Sequence, residues 1–385
     1  MEILNLVTKQ YDDVLHVSCK GYIDTETSEQ FKNYIEELHE KNPNTKIVID
    51  FAHVTMITSA GIRCLLLFTK NNINFELTNI NKEVYTVLSL SGMDSILNIK
   101  QETYSINTEG CKLLGKGFHS EVYRLDDETI AKVYYNVPTI DMPIRERMIA
   151  KQAFIKGVPT EISFALCTAN GKPGLIYELV DSDTLLSIFV NDETKIKEYL
   201  KDYVNLIKTM HTFNGDGITG IYDKKVVFAE ELETTRKYIP EEYYQKIKDI
   251  GDAIPASNML LHGDPHPANI MLTKRGMIFI DLSDMGIGDE KFDLMYLYRT
   301  LILFQSLPNN QYALSVENSK LLWDLFVEEY YKDKDPEYIE QELYIIKILA
   351  LNSIVSKFCY EKPNSDNAKF LIDWLIKEID NKAWD

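Results

Sequence analysis

Three oxygen-bearing side chains in the second half of the chain have a spacing that suits phosphoryl transfer. Asp264 and Asn269 lie within residues 260–272 (LLHGDPHPANIML), and Asp281 ends the next apolar run at residues 277–281 (MIFID). Phosphoryl transfer needs one carboxylate to orient the attacking hydroxyl, and oxygen ligands that hold Mg²⁺ against the phosphates. Asp264 suits the first task, and Asn269 and Asp281 suit the second.

The order of these residues resembles the catalytic loop of the protein-kinase-like fold. His262, Asp264 and Asn269 form a His-x-Asp-x-x-x-x-Asn pattern, and Gly263 stands where eukaryotic-type protein kinases have arginine. This variant is similar to the aminoglycoside phosphotransferase and choline kinase branch of that fold. The resemblance extends over residues 112–293 and implies an α+β bilobal fold that uses ATP and Mg²⁺ as cofactors.

Upstream residues resemble the nucleotide-binding lobe of the same family. The resemblance implies that Gly115 and Gly117 let the backbone approach a phosphate, and that Val122 covers the adenine. Ser120 stands where a third glycine would complete a G-x-G-x-x-G loop, so the backbone cradle is weaker than in the full motif.

A lysine, a glutamate and a hinge segment complete the nucleotide site that the resemblance implies. Lys132, in an apolar strand segment, would hold the α- and β-phosphates. Glu146, in the charged helix that follows, would pair with Lys132, and Glu161 is the alternative partner. The backbone of Glu178 to Val180 would bond the edge of the adenine at the hinge between the lobes.

The segment after Asp281, the predicted metal ligand, indicates which kind of phosphate acceptor the protein would use. Only a short stretch separates Asp281 from Asp293, which leaves little room for the peptide platform of a protein kinase. Gly263 also removes the basic group that would read a phosphorylated activation loop. Both features favour a hydroxyl or amine of a small molecule as acceptor. The acidic helical lobe would suit a cationic acceptor, although net charge says little about one pocket.

Residues 1–100 alternate strand and helix patterns and predict a separate α/β unit. Three segments resemble the STAS domain, which is named for sulfate transporters and anti-sigma factor antagonists. They are residues 20–31 (KGYIDTETSEQF), 47–68 (IVIDFAHVTMITSAGIRCLLLF) and 90–93 (LSGM). The resemblance implies a sensor of a protein partner or ligand that has no catalytic constellation of its own.

Ser59 is a candidate phosphorylation site within this unit. It lies at the start of a predicted helix, where free N–H groups and the positive helix end would accept a phosphate. The alternative is that Thr58 or Ser59 is only an N-cap. The motif Thr58-Ser59-Ala60-Gly61 departs from the usual Asp-Ser-x-Gly, and some STAS modules are not phosphorylated, so both interpretations stay open.

The composition excludes several partner classes. Lys plus Arg number 41 against 59 Asp plus Glu in 385 residues, which gives a net charge of −18 and a pI near 4.9. Such a chain repels phosphate backbones and anionic lipids, so we expect no nucleic-acid and no membrane partner.

The cysteines and the apolar segments indicate in which cellular compartment we expect the protein. The five cysteines form no CxxC pair, which is typical of a reducing compartment and predicts a cytoplasmic protein. The N-terminus lacks the pattern of a signal peptide, and no stretch approaches the roughly 18 apolar residues of a membrane span. The most apolar late segment, Leu343–Val355, predicts a buried helix.

A single domain seldom exceeds about 250–300 residues, so a chain of this length should contain more than one. The patterns described above divide the chain into four segments. We expect a STAS domain at residues 1–100, a linker at 101–110, a nucleotide-binding N-lobe at 111–183 and a helical C-lobe at 184–385.

The sequence thus predicts an ATP- and Mg²⁺-dependent phosphotransferase with a regulatory STAS domain. An alternative is a partner-switching signalling protein, whose kinase-like part senses nucleotide or phosphorylates a protein serine. The intact Asp264, Asn269 and Asp281 argue against a mere scaffold.

Overall fold

The computed structural model describes residues 4–11, 14–99, 104–117, 119–135, 141–179, 182–308 and 312–381. The chain divides into two compact units. The first comprises Met1–Ile155 and Ile162–Leu179, and the second comprises Lys156–Glu161 and Val180–Asp385. Each unit is described by itself below.

A four-stranded sheet and three helices form the N-terminal part of the first unit. The strands are β1 (Asn5–Tyr11), β2 (Val14–Ile23), β3 (Lys46–Ile57) and β4 (Phe75–Thr78), and the helices are α1 (Ser28–Lys41), α2 (Ser59–Lys70) and α3 (Lys82–Leu90). The sheet order is β1-β2-β3-β4, with β1 antiparallel to β2 and the other two pairs parallel.

The apolar pattern of this part accounts for its core. Strict alternation along β2 buries Leu15, Val17 and Cys19 and leaves the side chains between them exposed. Phe31 of α1 and Phe68 of α2 are fully buried, and their rings lie 5.5 Å apart in an edge-to-face arrangement. The predicted α/β unit is therefore confirmed.

A six-stranded sheet and one long helix form the rest of the first unit. The strands are β5 (Tyr104–Ile106), β6 (Lys112–Lys116), β7 (Ser120–Arg124), β8 (Thr129–Tyr134), β9 (Ala165–Ala169) and β10 (Lys172–Glu178), and the helix is α4 (Asp141–Ile155). The sheet order is β5-β9-β10-β8-β7-β6. Strand β5 falls in the segment that we expected to be a linker. It pairs with β9 and so becomes an edge of this sheet.

The second unit is mainly helical and contains six short strands. Its helices are α5 (Leu185–Asn191), α6 (Lys195–Met210), α7 (Lys224–Thr235), α8 (Glu241–Ala253), α9 (Lys291–Tyr298), α10 (Val316–Tyr330), α11 (Pro336–Glu361) and α12 (Asp366–Asp380). Its strands are β11 (Asp183–Thr184), β12 (Tyr222–Asp223), β13 (Leu260–Leu261), β14 (Ile270–Thr273), β15 (Gly276–Phe279) and β16 (Gly286–Ile287). They form two three-stranded sheets, β11-β14-β15 and β12-β16-β13. The expected α+β character is confirmed.

Local signals account for where several of these helices begin. Ser315, Asp335 and Ser365 precede α10, α11 and α12, and each side chain accepts a backbone N–H of the first turn. Such N-caps satisfy donors that have no partner within the helix. Pro336 occupies the first position of α11, where a missing N–H costs nothing.

Helix α11 contains the apolar segment that the sequence predicts to be a buried helix. Among the residues that the structure describes, this is the one helix long and apolar enough to cross a membrane, with a mean hydropathy of 1.4 over its most apolar window. The sequence pattern did not predict this length, because Lys347 and Asn352 interrupt the run. Within the protein, 61% of that window is buried, which is typical of a core helix.

Replacement of a buried leucine tests this core assignment. Leu351 of α11 is 0% exposed, so Leu351→Ala should lower the free energy of unfolding by about 2–5 kcal/mol. Urea unfolding followed by tryptophan fluorescence measures the second unit, because all the tryptophans lie there: Trp323, Trp374 and Trp384. Tyr360 of the same helix is 84% exposed, and Tyr360→Ala should change stability by less than about 0.5 kcal/mol. Equal effects of the two substitutions would contradict a buried α11.

Candidate functional site

The three side chains predicted to serve phosphoryl transfer, Asp264, Asn269 and Asp281, lie on neighbouring loops of the second unit. Strand β13 leads into the loop that carries Asp264, and Asn269 ends a short 3₁₀ turn before β14. The Asn269 side-chain amide donates to the Asp264 carbonyl at 2.9 Å. The Asn269 carbonyl accepts the N–H of Ile280 at 2.9 Å. These two bonds bring Asp264 and Asn269 beside the end of β15, where Asp281 follows.

Asp264 is a carboxylate with one oxygen available. Its Oδ1 is buried and, among the described residues, has no hydrogen-bond partner, whereas Oδ2 lies 3.4 Å from His266 Nε2. Burial acts to raise the pKa of Asp264, but contact with His266 and the charges of Arg299 and His262 outweigh it and lower the pKa. Asp264 therefore stays ionised at neutral pH and can accept a hydrogen bond from a ligand hydroxyl.

A second, fully buried carboxylate holds the loop in place. Asp293 of α9 accepts the backbone N–H of His262 at 2.9 Å and that of Gly263 at 2.7 Å. His211 contacts the same carboxylate at 3.0 Å through Nε2, and its Nδ1 lies 2.9 Å from the Tyr330 hydroxyl. Burial raises the pKa of Asp293, but the bonds from His211 and the backbone lower it overall. His211 and Asp293 thus support the loop rather than face a reacting group.

The glycine before Asp264 is required by sterics. Gly263 has φ +86°, and a Cβ placed on it would lie 2.0 Å from the Asp284 carbonyl oxygen and 2.7 Å from Lys224 Nζ. No side chain fits there, which explains why arginine is absent from this position. Lys224 itself is only 3% exposed, and no sequence motif pointed to it. Its role depends on a contact between α7 and the loop that sequence spacing does not reveal.

Asn269 and Asp281 present a donor set that suits Mg²⁺. The Asn269 amide nitrogen is committed to the Asp264 carbonyl, which leaves its carbonyl oxygen as the ligand atom. Asp281 accepts a hydrogen bond from Ser283 at 2.9 Å and has φ +57°, an uncommon conformation for a non-glycine residue. Within the described part of the chain, no cluster of three or more His, Cys, Asp or Glu residues could hold a metal alone. A cation held here would need phosphate and water oxygens as well.

The predicted lysine and glutamate pair is present in the first unit. Lys132 Nζ lies 2.8 Å from Glu146 Oε1, and the two side chains are 11% and 3% exposed. The Tyr177 hydroxyl donates to the same carboxylate at 3.1 Å, and the Tyr134 hydroxyl also donates to it. Lys132 therefore pairs with Glu146, the partner that the resemblance implies.

The predicted nucleotide-binding residues of the first unit lie in register across its sheet. Gly115 on β6 is opposite Val122 on β7, and Val122 is opposite Lys132 on β8. A Cβ on Gly115 would meet nothing within 4 Å, so this edge is open. The Gly117 N–H donates to the Ser120 carbonyl at 2.8 Å, which closes the turn.

Of the two residues predicted to bind the adenine edge at the hinge, the structure describes only one. Glu178 is the exposed last residue of β10, and it pairs with Thr129 of β8. Val180 lies outside the described residues. The binding of an adenine edge at this segment stays a prediction.

Ser59 is the exposed first residue of α2, and Thr58 is the N-cap. The Thr58 side chain makes no capping hydrogen bond to the described part of the helix. The Thr58 hydroxyl therefore does not act as the cap of the alternative interpretation. Phosphorylation of Ser59 stays a prediction, and its hydroxyl is accessible for it.

Comparison with known families matches two parts of the chain. The STAS domain model matches residues 5–105. The model described as the phosphotransferase enzyme family matches residues 110–317, more than half of the chain. The second match includes Asp264, Asn269 and Asp281 and also Lys132 and Glu146.

Solved structures of low sequence identity are also similar. A choline/ethanolamine kinase family protein from Mesorhizobium loti is 13% identical with a TM-score of 0.48, covering 70% of this chain and 88% of the other. Choline kinase from Streptococcus pneumoniae is 16% identical with a TM-score of 0.46, covering 77% and 99%. An ADP-bound aminoglycoside phosphotransferase is 14% identical with a TM-score of 0.45, covering 75% and 96%.

The steric requirement for glycine before Asp264 is testable. Gly263→Ala adds a methyl group against the Asp284 backbone, so we expect a loss of about 1–3 kcal/mol beyond the cost of the positive φ, together with loss of catalysis. Gly217→Ala is the matched control, because Gly217 has φ +76° with nothing within 4 Å of an added Cβ. Urea unfolding and ADP release would be measured for both variants. Equal losses would show that the close contact at Gly263 is unimportant.

Proposed function

Because this chain belongs to the phosphotransferase enzyme family and carries a STAS domain, we propose that it transfers the γ-phosphoryl group of ATP to a hydroxyl or amine of a small molecule. The observation that carries this proposal is the buried, unpartnered Oδ1 of Asp264 beside the oxygen donors of Asn269 and Asp281. A scaffold without catalysis would have no need of a charged oxygen in such a position.

Asp264 has the properties of an orienting group. Its lowered pKa makes it a weak base, so its main task is to hold the attacking hydroxyl in line with the γ-phosphorus. The proton of the hydroxyl passes to it late, as the new bond forms. Asn269 and Asp281 would hold Mg²⁺, which supplies neutralisation of the phosphate charges. Lys132, kept in place by Glu146, would contact the α- and β-phosphates.

The segment after Asp281 supports a small acceptor. Strand β16 (Gly286–Ile287) lies in this segment and is paired with β12 on one side and β13 on the other. Its backbone is therefore engaged within the second unit and does not form a free platform for a peptide. A protein acceptor, including Ser59 of this chain, is the alternative.

Replacement of Asp264 tests the proposed role. Asp264→Asn keeps the shape but removes the charge, so turnover should fall by about 10²–10⁴ while the affinity for MgATP changes little. Steady-state ADP release and a separate nucleotide-binding titration would measure the two effects. Asp252→Asn, at an exposed position on α8, is the control and should behave as wild type. If Asp264→Asn kept near-normal turnover, the assignment of Asp264 would be rejected.

The STAS domain contacts the helix that carries Glu146, which suggests how it would regulate the enzyme. Lys151 of α4 forms an ion pair with Asp94 and donates to the Tyr85 hydroxyl at 2.6 Å. The guanidinium of Arg147 lies 4.7 Å from the centre of the Tyr85 ring. Burial, and then the charge of Arg147, lower the pKa of Lys151 to about 8. A displaced STAS domain would therefore move α4 and weaken the Lys132–Glu146 pair.

Loss of the Asp94 charge tests this coupling. Asp94→Asn leaves the Lys151 ammonium buried without its anion, so we expect the KM for ATP to rise by about three- to ten-fold. Glu83→Gln removes an exposed carboxylate of α3 and should leave the KM unchanged. Should Asp94→Asn lower only the stability and not affect the KM for ATP, the contact would be structural and not regulatory.

We also propose a cytoplasmic location. Its support is that all five cysteines are free thiols, and burial raises the pKa of Cys167 to about 12. Free, unreactive thiols are typical of a reducing compartment.

A further inference from the structure

Three cations of the second unit alternate with aromatic rings. Lys224 Nζ lies 5.0 Å from the centre of the Tyr296 ring, and the Arg299 guanidinium lies 4.3 Å from the same ring. Arg299 is also 5.9 Å from the centre of the Phe304 ring, and Lys357 Nζ is 6.0 Å from it. We call Lys224, Arg299 and Lys357 the cationic cluster. The aromatic faces between them reduce the repulsion among the three charges.

This cluster lies beside the loop that carries the carboxylate proposed to orient the acceptor. Lys224 Nζ lies against Gly263, the residue before Asp264. Arg299 lies against the same Tyr296 ring as Lys224, so both cations are close to the loop that carries Asp264. The sequence separates these groups widely, and the packing of α7, α9 and α11 brings them together.

Two of the three cations lack an anionic partner. Across the residues that the structure describes, no carboxylate oxygen lies within 4 Å of Lys224 or Arg299. Arg299 donates to the Ser353 hydroxyl at 3.0 Å, and its buried Nε has no partner in the same residues. Ser353 in turn donates to Glu231 at 2.9 Å, so a neutral hydroxyl lies between Glu231 and Arg299. Buried charges are normally paired, because isolation costs several kcal/mol.

The carboxylates that face the cluster are Glu231, Asp264, Asp284 and Asp293, and among the described residues none forms an ion pair with Lys224 or Arg299. Burial raises the pKa of Glu231 and of Asp284 above its usual range. Lys224 and Arg299 partly oppose this effect. A ligand that carries its own negative charge would complete the site without the cost of ionising these acids.

The cluster is reachable from solvent. The Asp264 side chain is 28% exposed, Arg299 and Lys357 are half-buried, and Asp284 is exposed although it is densely surrounded by protein. Arg299 and Asp264 are therefore partly accessible, whereas Lys224 lies beneath them at 3% exposed. Arg299 also begins a π-helical turn, Arg299–Leu303, and such turns are rare and frequent at functional sites.

From this arrangement we propose that the acceptor is an alcohol that bears a carboxylate or phosphate, which Arg299 and Lys224 bind while its hydroxyl meets Asp264. The inference rests on the proposed phosphotransferase function. The hydroxyl oxygen forms the new bond to the γ-phosphorus, and the bond from that phosphorus to the β-phosphate oxygen breaks and releases ADP. The hydroxyl proton passes to Asp264 and then to water.

Matched acceptors on two scaffolds test the proposal with the full-length protein and MgATP. Glycerol and glucose are the uncharged parents, glycerate and gluconate add a carboxylate, and glycerol 3-phosphate and glucose 6-phosphate add a phosphate. Serinol and glucosamine add an amine. ADP release gives kcat and KM, and the thermal shift of the nucleotide-free protein gives binding without turnover.

On at least one scaffold, we expect an anionic member to exceed both the parent and the amine at least ten-fold in kcat/KM, and to raise the Tm. Arg299→Gln should abolish this preference by raising the acceptor KM, with the KM for ATP unchanged, whereas Arg299→Lys should keep part of it. Lys248→Gln, which alters a half-buried lysine of α8, should keep all of this preference. Comparison of the carboxylate-bearing acceptors with the phosphate-bearing acceptors shows which of the two anions the site prefers.

Several results would overturn the proposal. They are a preference for the parent or the amine, an anion preference that survives in Arg299→Gln, and anionic members that neither bind nor react. ADP release with uncharged or amine acceptors would reject the anionic class and leave the phosphotransferase function intact. A wild-type protein that binds no MgATP and releases no ADP with any acceptor would instead reject the proposed function itself.

Discussion

The geometry of the site depends on one buried carboxylate that organises the backbone of the catalytic loop. Asp293 accepts the N–H groups of His262 and Gly263, and hydrogen bonds to a charged group contribute about 1.5–3 kcal/mol each. His262 then lies 3.2 Å from the Asp264 N–H through Nδ1, and its Nε2 lies 3.2 Å from the Ile280 carbonyl. The loop that carries Asp264 and the strand that ends before Asp281 are thereby joined through a single imidazole.

The net charge of the chain does not describe the charges near the loop that carries Asp264. The chain carries a net charge of −18, and that value favours cationic ligands only at long range. Near the Asp264 loop, cations lie among the carboxylates, because Lys224 packs against the tight turn at Gly263 and the π-helical turn after α9 presents Arg299. Charges within a few ångströms, in a partly desolvated site, act more strongly on a bound ligand than the distant acidic surface.

Helix α4 links two parts of the first unit because neighbouring faces have different partners. Glu146 faces the sheet and pairs with Lys132, while Lys151 and Arg147 face the STAS domain through Tyr85 and Asp94. A rigid helix of this length transmits displacement from one face to the other, since its own hydrogen bonds resist bending. The contact thus connects the STAS domain, through α4, with the Lys132–Glu146 pair.

Sequence alone was sufficient for the order of elements and for the side chains held by local spacing. The His262 to Asn269 motif and Asp281 belong to loops whose form depends on close neighbours, so their types and intervals predict their proximity. Tertiary structure alone decided that Lys132 pairs with Glu146, that β5 joins the second sheet, and that α7, the π-helical turn after α9 and α11 bring their cations near the Asp264 loop. Such contacts join residues far apart in the chain. They arise from how apolar faces pack, which no short interval of sequence encodes.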